Sequence, residues 1–300
     1  MSLTVTGFFL VFCSSGCEEV QIATHSISRR AIIPAQMTSP YHLGSAPQEQ
    51  DRLTGQVDLY GDTKRITFKP TDRVCEFGCG PLANAWIPQS LSGGSFVGVD
   101  IQPEQIAVGK ERAKNLKLLN VDLRVGDARN TELPASSFDV SYARLLLIHV
   151  PDPASIVAEM MRVTKNGGRI IVTEPHDQGY FATPGTENLL KCFRARNIYA
   201  YGNGRGSLDI ALQLYPLFQS LGLKDIHITP HVITATGAIP GQCTVLLKNW
   251  IGLIYPVVDD LLREKLVTEA EWQQAQKEAE EERPDRFVLQ MLWIAEGVKG

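Results

Sequence analysis

Apolar positions recur every three or four residues in some segments of this chain and in unbroken short runs in others, and the two patterns alternate. Residues 48–64 are largely polar with Leu53, Val57 and Tyr60 at helical spacing, which predicts an amphipathic helix. Apolar runs at 73–77, 96–99, 121–125, 138–142 and 169–173 predict five strands, with helical patterns between them that include 102–119 and 153–164. Strands alternating with helices predict an α/β fold whose parallel sheet is covered on both faces. The pattern then changes. Residues 176–206 are rich in Gly, Pro, Tyr and Arg and read as an insertion over the open end of the sheet. An apolar helix over 208–221 is stopped by Gly222, and a sixth strand is predicted over 223–236. Two further helices, 243–266 and a heavily charged 269–282, lie in a second insertion at 241–284, and 287–298 closes the chain as a strand.

Composition narrows the class. Apolar residues make up 44% of the 300-residue chain, enough for a packed core without disulfides. A net charge of -4 supplies no basic footprint for nucleic acid. Six cysteines without regular spacing read as reduced thiols of a cytoplasmic protein. The apolar run at 3–13 has no Lys or Arg before it and is too short to span a bilayer, so no stable membrane insertion is expected. Residues 1–40 read as an extension outside the core, and 41–300 as one domain.

The strongest local signal is Val74-Cys75-Glu76-Phe77-Gly78-Cys79-Gly80-Pro81. A strand ends there, glycines make a turn that side chains would block, and a helix begins, so a ligand can approach the backbone closely. Gly78, Gly80 and Ala83 also satisfy the dinucleotide spacing, with Asp100 at about the expected distance downstream. Charge separates the two readings. Glu76 lies before the turn, Asp100 ends the second strand, and Gly126-Asp127-Ala128 follows the third. Carboxylates at three consecutive strand ends suit a cationic nucleoside with an ammonium group, two ribose hydroxyls and an exocyclic amine. A diphosphate would be repelled.

In order, Glu76-Phe77-Gly78-Cys79-Gly80-Pro81, Gly98-Val99-Asp100-Ile101, Gly126-Asp127-Ala128 and the stretches 138–153 and 163–175 resemble the class I S-adenosylmethionine (SAM)-dependent methyltransferase family. The resemblance is greatest to the branch with the ubiquinone and menaquinone biosynthesis enzymes, and covers 41–298. It implies a Rossmann-like sheet of seven strands, the last antiparallel and inserted between the fifth and sixth, with helices on both faces and a helical cap over 176–206 and 241–284. It also implies that Glu76, Gly78 and Gly80 hold the methionine end of SAM. Asp100 would grip the ribose, Ile101 would lie against adenine, and Asp127 and Ala128 would line its edge. Arg144 stands where the family often places cofactor or substrate contacts. Tyr41, with Gln56 as a weaker candidate, resembles part of an N-terminal lid.

The implied reaction is in-line transfer of a methyl group to a small metabolite, in a site that aligns the reactants and excludes water. Histidine suits proton removal near neutral pH. His176, which opens the insertion, is the preferred candidate, and His149 the second. His227 and His231 flank Pro230 in a strand and read as a solvated edge. No Cys–His cluster suggests a metal. Tyr180, Phe181, Phe193, Tyr199, Tyr201, Trp250 and Tyr255 form either an apolar acceptor pocket or the cap's own core. No Asn-Pro-Pro-Tyr or Asp-Pro-Pro-Tyr follows the fourth strand, which argues against methylation of DNA bases or glutamine amides and favours an apolar or aromatic small molecule. Three alternatives remain at this point: a SAM-binding protein with a non-methylating reaction, an NAD-dependent oxidoreductase, and an interaction protein using the charged helix.

Overall fold

The computed structural model describes residues 47–61, 65–202, 206–207 and 209–300, except the side chains at 47, 48, 51 and 177. Tyr41 and the extension at 1–40 lie outside the described residues. The strands are Arg73–Phe77 (β1), Ser95–Asp100 (β2), Val121–Val125 (β3), Phe138–Arg144 (β4), Thr164–Thr183 (β5), Lys224–Thr236 (β6) and Phe287–Val298 (β7). They form one sheet in the order β3-β2-β1-β4-β5-β7-β6. β1 to β5 are parallel, and β7 runs antiparallel to both β5 and β6. The chain builds outward from β1 to β3, then returns to the other side of β1 as β4. That reversal is a topological switch point, where ligands bind beyond the carboxyl ends of the strands.

Side chains on successive strand residues feed opposite cores. Cys75 and Phe77 of β1, with Ile170 and Val172 of β5, pack on the face covered by helices Pro153–Val163 (α4) and Ile210–Ser220 (α6). Val74, Tyr142 and Ile171 face the opposite way, toward Trp86–Ser90 (α2) and Pro103–Asn115 (α3). Local chemistry sets the helix ends. Asp152 caps α4 by accepting from the Ser155 amide at 3.3 Å, with Pro153 in the first turn. Gly222, at φ +81°, ends α6, and the Leu223 amide bonds back to the Phe218 carbonyl at 3.1 Å.

A third core lies beyond the parallel sheet. It joins Pro47–Tyr60 (α1), Glu187–Tyr201 (α5), Gln242–Ile254 (α7), Val258–Arg263 (α8) and Glu269–Glu280 (α9) through Tyr60, Phe193, Trp250, Leu261 and Trp272. A capping box at Thr268 and Glu271 starts α9. Arg286 ties this layer together. Fully buried, it donates to the carbonyls of Pro184, Gly185, Glu278 and Glu281 and to the Glu281 carboxylate.

Three sequence expectations change. The fifth strand, expected over 169–173, runs over 164–183, because antiparallel β7 supplies ladder partners as far as Thr183. Residues 176–183 are therefore mainly sheet, and Gly179 permits a close approach to Met291 there, where a Cβ would stand 2.9 Å from the Met291 Cβ. The helix expected over 243–266 is two helices separated by a 3₁₀ turn at Tyr255–Val257, since Pro256 lacks the amide needed to continue the ladder. His231 is buried rather than solvated, and its Nε2 donates to the Tyr60 carbonyl at 2.7 Å. Among the described residues no helix is long and apolar enough to cross a membrane, and the four described cysteines are buried free thiols.

Candidate active site

A cavity of about 750 Å³ opens at the carboxyl ends of β1, β2, β3 and β4, beneath the helical layer. Gly78, Gly80, Asp100, Ile101, Asp127, Ala128 and Arg144, all singled out from the sequence, line it. Gly78 and Gly80 adopt φ +69° and +53°, a region costly for residues with a Cβ. A Cβ at Gly78 would also lie 2.8 Å from Leu146 Cδ1, so that side chain would have to shift.

Asp100 organises the turn. Its carboxylate accepts from the Gly80 amide at 2.9 Å and the Gln102 amide at 2.9 Å. Burial raises its pKa above the usual carboxylate value despite those amides. Asp127 is more open, and Arg129 binds both its oxygens, which pulls its pKa down. Ile101 exposes half its surface to the cavity region, as an apolar plate for a planar ligand would.

Glu76 does not reach the cavity wall. Pleating turns it with Val74 toward the α2–α3 face, where its Oε1 accepts from Asn84 Nδ2 at 2.5 Å. Asn84 itself lines the cavity. Glu76 Oε2 is buried without a hydrogen-bond partner, and burial pushes the carboxyl up to about 8 against the pull of Asn84 and Arg144. Gln105, on α3, also lines the cavity with a buried, unpartnered Oε1.

The two histidines separate. His149 lines the cavity, 3.4 Å from the Tyr201 hydroxyl through Nδ1. Burial, then the charges of Arg196 and Arg52, pull its pKa down to about 3. It is a neutral hydrogen-bonding imidazole at neutral pH, which corrects the expectation of a base poised near 7. His176 is not on the wall. It sits within the lengthened β5, with its Nε2 3.5 Å from Asp209 Oδ1, and the neighbouring Pro175 takes the lining position. The preference for His176 over His149 therefore reverses on geometry.

Beyond His149 the wall comes from the helical layer. Arg52, Gln56 and Tyr60 reach it from α1, and Phe193, Arg196, Asn197 and Tyr201 from α5. Gln56, the weaker lid candidate, donates to the Tyr60 hydroxyl at 2.9 Å. Arg196 donates to the Leu253 carbonyl, Asn197 and Tyr201. The aromatic residues divide: Tyr180, Phe193 and Tyr201 line the cavity, Trp250 and Tyr199 belong to the buried core, and Phe181 and Tyr255 are exposed. None of the helical-layer arginines was found from the sequence, where a charge on an amphipathic helix looks like any solvated position.

The loop that carries His149 is held from below. Glu174, fully buried at the end of the parallel part of β5, accepts at Oε1 from the Leu146 and Leu147 amides at 2.9 and 2.6 Å. Leu145, at φ +54°, starts this loop in a backbone region that side chains seldom adopt. Burial pushes Glu174 up to about 8 against those amides and Arg144. Its folded pKa exceeds the ordinary glutamate value of 4.5, so its stabilising contribution is complete below about 4.5 and disappears as pH rises through about 8. Glu76 acts in the same direction. Urea midpoints should therefore fall across that range, and Glu174→Gln should flatten the fall. An unchanged slope would mean that Glu174 is ionised in the folded chain.

Residues 68–198 match the family described as Methyltransferase domain. Demethylmenaquinone methyltransferase from Bacillus cytotoxicus is 35% identical over 120 residues, 38% of this chain and 49% of that protein. The chain spans less than half the length of the curated relatives it matches. Among solved structures, phosphoethanolamine N-methyltransferase 2 from Haemonchus contortus superposes with a TM-score of 0.52 at 19% identity, over 81% of this chain and 52% of that one. The YcgJ protein from Bacillus subtilis gives 0.54 at 17% identity, over 82% and 99%. Strand order, the glycine turn with its acidic strand ends, and the match over residues 68–198 agree: this part of the chain is similar to the methyltransferase domain family, and the fold is that of the solved methyltransferases.

Proposed function

We propose that the chain binds SAM in the glycine-turn half of the cavity and methylates a small molecule with an apolar or aromatic body in the other half. The observation that carries this reading is the placement of Asp100 and Asp127 on the wall, with Glu76 behind Asn84, at the ends of three consecutive parallel strands. The donor set fits a cationic nucleoside. The unpartnered oxygen of Glu76 suits a nearby positive charge, which would draw off its proton.

When bound, the sulfonium supplies an electrophilic methyl group. The residues of this chain bind, orient and exclude water. Gly78 and Gly80 let the methionine end lie against the backbone, where Arg144 offsets its carboxylate. Asp100 accepts from the ribose hydroxyls, Ile101 covers adenine, and Asp127 with Ala128 meets its edge. The helical layer caps the acceptor and keeps water from the reacting atoms. His149 accepts a hydrogen bond from the acceptor and so fixes its orientation.

Calorimetric titration of the purified chain with SAM, S-adenosylhomocysteine and NADH tests the reading. Saturable binding of the first two and none of NADH is expected. Binding of NADH in their place would overturn it.

A further inference from the structure

Asp127 stands at the cavity edge expected to meet the nucleobase, but its carboxylate is already engaged. Oδ1 accepts from the Arg129 amide at 2.8 Å and from Arg129 Nε at 3.0 Å. Oδ2 accepts from the same Nε at 3.0 Å and from Nη2 at 2.5 Å. These contacts occupy the lone pairs of both oxygens, so an incoming amine gains a bond there only by displacing part of Arg129. Asp100, the neighbouring carboxylate, accepts from the Gly80 and Gln102 amides.

An unused acceptor lies on the same wall. Gln105 is 2% exposed and lines the cavity, and its Oε1 has no hydrogen-bond partner among the described residues. Its place in the fold accounts for its aim. Gln105 is the third residue of α3, which begins at the carboxyl edge of the sheet just after Asp100. It shares a helix face with Gly109, one turn further on. A Cβ at Gly109 would stand 2.8 Å from Leu123 of β3 and 3.3 Å from the Leu82 amide nitrogen, so that face looks onto β3 and the glycine turn. One turn nearer the carboxyl edge, Gln105 reaches the ends of β2 and β3, where Asp100 and Asp127 stand.

No local task explains the residue. A glutamine at the third helical position commonly reaches back to the N-cap amide. That amide, of Gln102, is held instead by Asp100 Oδ1 at 2.9 Å, and Gln105 is turned inward. A buried acceptor without a donor costs free energy that an apolar side chain of the same length would avoid. The terminal torsion of glutamine is soft, so the amide can turn its oxygen toward a donor that enters the cavity.

We propose, on the SAM reading above, that Gln105 recognises the exocyclic amine of adenine. Oε1 accepts one of the amine hydrogens, while Asp127 stays engaged with Arg129. Gln105 thereby sets the preference for an aminopurine at this edge, because a nucleoside without the amine leaves Oε1 unpaired.

Two compounds test this: S-adenosylhomocysteine and its deamino analogue, in which hydrogen replaces the exocyclic amine. Each is titrated by calorimetry into the full chain. The unaltered chain should prefer S-adenosylhomocysteine by roughly 10-fold, the scale of one hydrogen bond between neutral groups. Gln105→Met, of similar length and without the amide, should abolish the preference by weakening S-adenosylhomocysteine and leaving the analogue's affinity as it was. Retained binding of the analogue also shows that this variant is folded. Gln105→Glu keeps an accepting oxygen and should keep the preference. Asp127→Asn should keep it too, even where it weakens both compounds. The proposal is overturned if the unaltered chain binds the two compounds equally, if Gln105→Met retains the preference, or if Asp127→Asn loses it. Failure of the unaltered chain to bind either compound would bring down the cofactor reading itself, whereas tight binding without preference for the amine removes only Gln105.

Discussion

Replacing Asp100 with alanine is expected to weaken SAM binding by roughly 1–3 kcal/mol, the range for hydrogen bonds to a charged group. The carboxylate has two tasks. It accepts from the Gly80 and Gln102 amides, and so sets the shape of the turn and the entry into α3. Its remaining lone pairs face the cavity, where they meet the ribose in the proposed complex. Asp100→Asn keeps one accepting oxygen and turns the other into an NH2 donor, so one of the two amide contacts is lost together with the charge. It should fall between the wild type and the alanine variant. Calorimetry with S-adenosylhomocysteine measures both, and unchanged affinity in Asp100→Ala would remove the residue from the cofactor site.

Arg286→Met is expected to give the largest loss of stability, roughly 3–5 kcal/mol, because removing one partner from a buried charged network leaves the other groups uncompensated. Five hydrogen bonds disappear together, and the carbonyls of Pro184, Gly185, Glu278 and Glu281 lose their donor. Arg286→Lys keeps the charge but lacks the planar fork, so it should recover only part of the loss. Urea denaturation followed by circular dichroism gives both values. A midpoint like the wild type's for Arg286→Met would show that water or neighbouring groups replace the guanidinium at little cost.

The parallel sheet was legible because its signals are local. Each strand end carries its own mark, glycines at 78 and 80 and carboxylates at 100 and 127, and neighbouring residues alone decide which faces are apolar. The glycine-turn half of the cavity could be read for the same reason, with Glu76 as the exception, because the pleat decides which way a strand side chain points. The acceptor half could not. Arg52, Arg196 and Tyr201 reach the cavity only through packing of α1 and α5 over the sheet, and nothing near them in the chain distinguishes them from solvated or core positions. The same holds for Arg286, whose partners are set by the approach of α9 to the end of β5. His176 was misplaced because the length of β5 depends on β7, more than a hundred residues later.

Gly78 and Leu146 belong to different halves of the site, yet a single missing carbon separates them. Leu146 stands on the loop that Glu174 fixes and that carries His149, while Gly78 lines the glycine-turn half of the cavity. The end of the Leu146 side chain packs over Gly78, so a movement of either loop toward the other must displace that side chain. Occupation of one half therefore changes the free energy of filling the other, and linkage requires the change to be equal in both directions. The two ligands should show reciprocal cooperativity: the factor by which S-adenosylhomocysteine alters the affinity for the methyl acceptor should equal the factor by which the acceptor alters the affinity for S-adenosylhomocysteine. Leu146→Ala, which opens the gap, should bring that factor toward one. A factor of one in the unaltered chain would mean that the two loops respond independently.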